Sequence, residues 1–195
     1  VSGTGRAARA EVERRLETAR RGAELLDRKQ RILRIAIQNR ADRAEASRRR
    51  WEEAASAAGP WLGRALALDG LGRVREAVPE FFAEASVTWG GAMGISYPED
   101  ASVALPPQAP TAGSSALAYA AATHREALAA AVVHAADARA LLLVTRELAD
   151  TRTRQRAVEN RWIPRLEDDL ARIQRSLAEQ ELEESLRLRW AAGSI

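Results

Sequence analysis

From about Arg6 to Leu68, Val12, Leu16, Ala19, Ala23, Leu26, Gln30, Leu33 and Ile37 fall in alternating steps of four and three. The register continues through Arg40, Ala44, Ser47, Trp51, Ala54, Ala58, Trp61, Ala65 and Leu68. This seven-residue repeat predicts one helix with a stripe that lies against another helix. Alanine and a few polar residues dilute the stripe, which favours close helix approach over large buried area. Gly59-Pro60 interrupts the pattern and predicts a kink or a break there. Unbroken, the segment would reach roughly 95 Å at 1.5 Å per residue, longer than a compact domain of this size requires.

Asp69-Gly70-Leu71-Gly72 reads as a helix stop, and Val74 to Pro79 as a short helix or turn. Val87-Thr88-Trp89 and Ile95-Ser96-Tyr97 are β-type runs on either side of Gly90-Gly91-Ala92-Met93-Gly94, which predicts a short β-hairpin with a glycine-rich turn. Pro106, Pro107, Pro110, Gly113, Ser114 and Ser115 mark an irregular loop. Helix resumes near Ala116 and runs towards Trp190, on the order of 110 Å if continuous. Its apolar points Val158, Trp162 and Leu166 are spaced four apart, and Leu170, Ile173 and Leu177 follow. Pro164 lies inside this pattern, where loss of a backbone hydrogen bond predicts a bend or support from neighbours.

Two long helices joined by a small excursion have one economical arrangement, in which they lie antiparallel and each covers the other's seam. The fold class predicted is therefore all-α: a long antiparallel two-helix coiled coil with a small central β-hairpin and loop. Residues 1–68 form the first shaft helix, 69–115 the excursion and 116–195 the second shaft helix. Facing residues should have numbers that add to roughly 185–195, which sets Leu26 to Gln30 opposite Val158 to Trp162. The seam expected is Leu16, Leu26, Leu33 and Ile37 against Val158, Trp162, Leu166, Leu170, Ile173 and Leu177.

Composition narrows the chemistry. There is no cysteine, which excludes disulfides, thiolate metal sites and cysteine nucleophiles. No apolar run approaches the length of a membrane span, and the first residues carry no hydrophobic signal segment, so a soluble intracellular protein is expected. The net charge of +3 is unevenly spread: residues 1–68 carry +7, residues 69–150 carry −5 and residues 151–195 carry +1. Lys29 is the only lysine, so the sequence pI near 10.1 reflects arginine rather than a large charge excess. No basic stripe with interleaved aromatics accompanies it, and nucleic acid is not an expected partner.

Each candidate for chemistry has a plainer reading. Gly90, Gly91 and Gly94 lack the following lysine of a phosphate loop and fit a hairpin turn. His124 and His134 lie ten residues apart with no convergent ligands; no metal or cofactor is expected. Glu167, Asp168 and Asp169 are spread around a helix and fit a solvated face paired with Arg165 and Arg172 rather than a catalytic carboxylate pair. Arg48-Arg49-Arg50 lies within helical pairing distance of Glu45, Glu52 and Glu53. No catalytic constellation emerges, and an enzyme is not expected.

The stretch TRTRQRAVENRWIPRL, residues 151–166, resembles the C-terminal signature of the D subunit of V-type and A-type rotary ATPases, approximately TRRRVNALE-x-x-x-IPRL. Thr151, Arg152, Arg154, Ala157, Glu159, Ile163, Pro164, Arg165 and Leu166 match in register, and Leu177, Glu179, Glu181, Glu184, Arg187 and Leu188 fit the tail that follows. Arg15, Leu16, Ala19, Gly22, Leu25, Leu26 and Lys29 resemble the family's N-terminal pattern, and Met93-Gly94-Ile95-Ser96-Tyr97-Pro98 its central one. Gln155-Arg156 stands where the family has Val-Asn, Asp27 where it has lysine, and Thr4-Gly5-Arg6 where it has Pro-Thr-Arg.

The resemblance implies a non-catalytic rotor shaft, peripheral to the membrane on the cytoplasmic side, without direct membrane insertion. It implies as partners the catalytic and non-catalytic A and B subunits of the ring, the small F subunit of the rotor, and the funnel-shaped C/d-type component above the membrane ring. In that setting Arg6, Arg9, Arg14, Arg15, Arg20, Arg21, Arg187 and Arg189 are expected to face the bore of the headpiece. Val87, Trp89, Met93, Ile95 and Tyr97 of the hairpin are expected to dock the F subunit. The alternative is a free-standing coiled-coil adaptor outside the motor, which the polar seam residues Gln30, Arg40 and Ser47 would suit.

Overall fold

A computed structural model describes residues 5–107 and 112–192; Thr4 and Pro110 lie outside the described residues. In chain order the elements are α1 (Arg6–Glu76), β1 (Glu84–Ala92), β2 (Ile95–Ala104), α2 (Ser115–Ala157), a π-helical turn (Val158–Trp162) and α3 (Ile163–Ala192). Two long helical stretches and a two-stranded antiparallel hairpin between them match the predicted class. The described chain falls into two compact units. One comprises Val1–Ile32 with Ala149–Ile195, the other Leu33–Leu148.

Within the first unit the start of α1 meets the end of α3. Val12, Leu16, Leu166 and Ile173 are buried together, with Ala8, Ala19, Ile163, Leu170 and Leu177 packed around them. Arg6 pairs with Glu181 and Arg20 with Glu167, which fixes an antiparallel register inside the range expected. Gln30 donates to Gln155, so it faces a residue slightly before the expected Val158–Trp162 stretch.

The seam of this unit holds one departure from a plain helix. Buried or half-buried positions run Thr151, Gln155, Val158, Ile163, Leu166, Leu170, Ile173 and Leu177. Their spacing is three or four everywhere except the five from Val158 to Ile163. An α-helix would throw Ile163 off the seam. The π-turn absorbs the additional residue, and the Ile163 N–H reaches the Val158 carbonyl five residues back. Ile163 is thereby stacked over Val158. Pro164 follows at once, where it has no N–H to offer and its ring would crowd a carbonyl four residues earlier. A widened turn accommodates both conditions. Trp162, placed on the seam by its four-residue spacing, is instead 61% exposed.

The second unit contains the rest of α1, the hairpin and α2 as far as Leu148. The predicted break at Gly59-Pro60 does not occur; the helix passes through Pro60. Proline in a helix interior costs about 3 kcal/mol. Burial of Ala58 and of the Ala65, Ala116, Leu117 and Ala120 cluster, with Trp61 against it, holds the flanking turns in place. The discontinuity lies ten residues later at Gly70 (φ 76°, ψ 168°), after which helix continues to Glu76. Immediately before it, the Asp69 carboxylate accepts the Ser114 N–H at 2.8 Å and its hydroxyl at 2.5 Å. Ser114 in turn caps α2, accepting the Leu117 N–H.

The hairpin is longer and its turn tighter than the sequence pattern suggested. Gly90 and Gly91 belong to β1, and the turn is Met93-Gly94 alone, with both φ values positive (54° and 81°). That is the two-residue geometry whose twist suits a hairpin, and Gly94 adopts it without a Cβ penalty. Thr88 pairs with Asp100 and Trp89 with Pro98, so Glu99 is bulged out of register. The Glu99 side chain folds over Gly90, where any Cβ would collide with it. One face of the hairpin then packs on the helices: Tyr97 is buried with Leu33, Ala140, Val144 and Leu148, and Ala92 and Ile95 lie against them.

Candidate functional site

The terminal arginines lie on the surface and are largely neutralised by glutamates of their own helix. Arg9 reaches Glu13 at 2.8 Å, Arg15 reaches Glu11 at 2.7 Å, Arg14 also pairs with Glu11, and Arg21 pairs with Glu17. Arg6 and Arg20 cross to Glu181 and Glu167 of α3, and Arg187 stands 3.8 Å from Glu183. Arg189 is exposed. Four-residue spacing produces these ladders because it sets oppositely charged side chains one turn apart. The Glu45 cluster is built the same way, with Arg48 at 2.8 Å and Arg49 at 3.0 Å from one carboxylate and Arg48 at 2.5 Å from Glu52. Hydrogen bonds from Arg48, then Arg49, hold the Glu45 carboxyl down from 4.5 to about 2, and the same pairing raises the Arg48 pKa.

Among the expected seam residues, Leu16, Leu33, Leu166 and Ile173 are buried, and Leu26, Ile37, Val158, Leu170 and Leu177 are half-buried. The seam carries polar residues that satisfy one another. Gln30, 5% exposed, donates to Gln155, whose amide donates to Glu159 at 2.7 Å. In the second unit Arg43 reaches the buried Asp137 at 2.7 Å and Asp100 of β2 at 3.5 Å, joining three elements through one guanidinium. His134 stacks on Trp51 with ring centres 5.5 Å apart and its Nδ1 lies 3.5 Å from Ser47 Oγ. Among the described residues no group of three or more metal-ligating side chains gathers.

The hairpin residues divide between its two faces. Val87, Trp89 and Met93 are exposed. Tyr97 and Ile95 are not available to a partner as expected: strand alternation turns them inward, and the Arg40 guanidinium lies 4.5 Å over the Tyr97 ring. A larger apolar surface in the same unit had no counterpart among the expected sites. Phe81 and Phe82 are exposed, Phe82 almost completely, beside a cleft of about 370 Å³ that Val74, Val78, Leu117 and Leu128 also line. Leu68 and Leu71 are exposed at the neighbouring discontinuity in α1. The adjacent phenylalanines were the available signal, since a buried pair would be expected in a regular element and these sit between elements.

The regional charge totals conceal a second feature. Residues 151–166 hold Arg152, Arg154, Arg156, Arg161 and Arg165 against Glu159 alone, a local +4 within the +1 of residues 151–195. All five arginines are exposed. Of the acids that follow Arg165, Glu167 pairs with Arg20 and Asp169 with Arg172.

Against expectation, the helical stretch Ser115–Ala192 includes a segment long and apolar enough, by composition, to cross a membrane. Its alanines and leucines are spent in part on packing in the second unit, where it also carries the paired Asp137.

No curated protein matches this sequence. The antiparallel helices, the hairpin between them and the run from Thr151 to Leu166 agree with the result of a scan against protein families, in which the model for the ATP synthase D subunit matches residues 8–193, and the chain belongs to that family.

Proposed function

We propose that this chain is the central-stalk rotor subunit of a V/A-type rotary ATPase, coupling ATP hydrolysis or synthesis in a catalytic ring to ion translocation. The observation that carries the reading is the extent of the family match, which takes in both long helical stretches and the hairpin rather than one motif. The chain itself is non-catalytic in this reading. It works cytoplasmically, at the periphery of the membrane, by transmitting torque.

The surface chemistry supports such a role. A shaft turning inside a ring needs a face that guides without locking. Exposed ion pairs contribute about 0–1 kcal/mol each, so arginines paired with glutamates of their own or the facing helix can guide a passing wall without locking to it. The arginine–glutamate ladders of Arg6, Arg9, Arg14, Arg15, Arg20, Arg21 and Arg187, together with exposed Arg189, are the surface offered to the A and B subunits of the ring. Val87, Trp89 and Met93 are offered to the F subunit. The cleft beside Phe81 and Phe82 is offered to the funnel-shaped component.

Co-expression with the other components of the motor and capture through a tag inserted between Pro107 and Ala112 tests the assignment. One copy of this chain per catalytic ring is expected. Recovery of the chain alone or self-associated, from cells that assemble the motor, would favour a free-standing adaptor.

A further inference from the structure

The sheet has two strands, so each strand has one ladder neighbour and one further edge. The buried positions Tyr97, Pro98 and Ala101 all belong to β2. Six successive residues of β1, from Glu84 to Trp89, are exposed, so the outer edge is that of β1. The register identifies the backbone groups on it. With the two-residue turn Met93-Gly94, the closing pair Ala92–Ile95 exchanges both ladder bonds and the next pair exchanges none. Gly91 and Trp89 therefore direct their N–H and C=O groups away from β2, and Val87 does so by alternation. Pro98 stands opposite Trp89, where a residue without an N–H costs the ladder nothing. Sheets commonly guard an open edge with proline, lysine or a bulge. β1 runs for nine residues with neither proline nor lysine, and the bulge is at Glu99 in the other strand.

Charge narrows what can lie along this edge. From Glu84 to Ala104 the hairpin holds Glu84, Glu99 and Asp100 and no arginine or lysine. Asp100 meets Arg43 of α1, whereas Glu84 and Glu99 form no ion pair among the described residues. The exposed Glu99 side chain folds over Gly90, which carries its negative charge onto β1. A second copy of the hairpin would oppose these acids with its own, and a nucleic acid with its phosphates. A basic partner strand would not.

We propose that the outer edge of β1 accepts a third, extended strand from a partner protein, with apolar residues at every second position beside Val87 and Trp89 and with arginine or lysine against Glu84 and Glu99. The small rotor subunit supplies this strand, so the inference rests on the reading of the hairpin as that subunit's docking site. Main-chain bonds to Val87, Trp89 and Gly91 give the affinity, and the alternate side chains select the register.

The test uses this chain co-expressed and purified with the small rotor subunit. Val87→Pro removes one outward N–H and spares the β1–β2 ladder, whereas Val87→Ala keeps that N–H and only shortens the side chain. The proline variant should bind the subunit about ten-fold more weakly than the alanine variant, the worth of one lost and one blocked main-chain bond. Glu84→Gln with Glu99→Gln should weaken binding most at low salt and flatten its salt dependence. In the unmodified pair, hydrogen exchange at the Val87, Trp89 and Gly91 amides should slow by at least about ten-fold relative to the free chain, while the Thr88 and Gly90 amides, already in the ladder, change little. Equal binding by the proline and alanine variants, or unchanged exchange at the three outward amides, would overturn strand addition and leave side-chain docking on the hairpin in place. Slowing that appears in the free chain as its concentration rises would show pairing between copies and overturn it as well. Failure of the unmodified chain to bind the small rotor subunit would remove both readings.

Discussion

Gln155 occupies a position where the family pattern has an apolar valine, and its role becomes clear from its contacts. It accepts from the buried Gln30 and donates to Glu159, so two seam departures satisfy each other. Replacing Gln155 by leucine should destabilise the chain by about 1–3 kcal/mol in chemical denaturation, because the buried Gln30 amide loses the acceptor that Gln155 provides. Changing both glutamines to leucine should restore most of that stability but relax the register, as removal of a buried polar pair does in coiled coils. Disulfide trapping between introduced cysteines would read the register. Glu45 illustrates the surface counterpart. Its carboxyl is held at about 2 rather than 4.5, so its pairing with Arg48 and Arg49 favours the fold at every pH above the ordinary carboxylate value and is lost as pH falls towards 2. A carboxyl carbon titration by NMR should show a midpoint near 2; one near 4.5 would mean the cluster does not persist in solution.

At the scale of elements, two interruptions decide how the helices run. The π-turn corrects a seam spacing of five, so the additional residue should be removable there and nowhere else nearby. Deleting Asn160 while changing Pro164 to alanine leaves a plain α-helical spacing from Val158 to Ile163. This variant should unfold at a temperature close to that of the parent. Deleting Asp168 instead would rotate Leu170, Ile173 and Leu177 off the seam, and the loss should reach several kcal/mol, given about 1.5–3 kcal/mol for each large apolar side chain exposed. Comparable thermal midpoints for the two deletions would contradict this account. Gly70 marks the other interruption. Its φ of 76° with ψ of 168° lies where side chains are strained, so Gly70→Ala should cost about 1–3 kcal/mol. Gly63→Ala, inside regular helix and facing open space, should stabilise by about 0.5–1 kcal/mol. Thermal denaturation of the two variants should therefore shift in opposite directions.

For the whole molecule, membership of the D-subunit family changes the meaning of the exposed apolar residues. Phe82, Trp89 and Met93 would be liabilities on an isolated soluble chain, whereas the proposed place in a multicomponent complex would make them contact surface. The hairpin provides a direct check of the proposed docking, because one of its faces is packed on the helices and the other is exposed. Val87→Asp with Trp89→Asp should leave the thermal midpoint of this chain nearly unchanged and release the small rotor partner from purified complexes. Tyr97→Ala should instead lower the chain's own stability by about 3–5 kcal/mol, as truncation of a buried aromatic does, and disturb assembly only through that loss. Partner release by Tyr97→Ala without loss of stability would return that ring to the docking surface.

The seven-residue spacing from Val12 to Ala65 specified the first helix and nearly all of its buried stripe, because helix periodicity and burial are both local properties of the chain. Three motifs in order specified the family. Two positions of the stripe show where that reasoning stops: Trp51 stacks on His134 but stays partly exposed, and Leu68 stands exposed. Pro60 and Pro164 are the same residue in similar helical patterns. One is carried through an unbroken α-helix by packing around Ala58 and Ala65, and the other coincides with a π-turn because the seam after it is one residue out of phase. Likewise the alternation of the hairpin was visible, but which face turned inward depended on Leu33 and Val144 lying beneath it. Local sequence determined which segments are helix and strand. Burial partners distant in the chain determined where those segments yield and which side chains remain for other proteins.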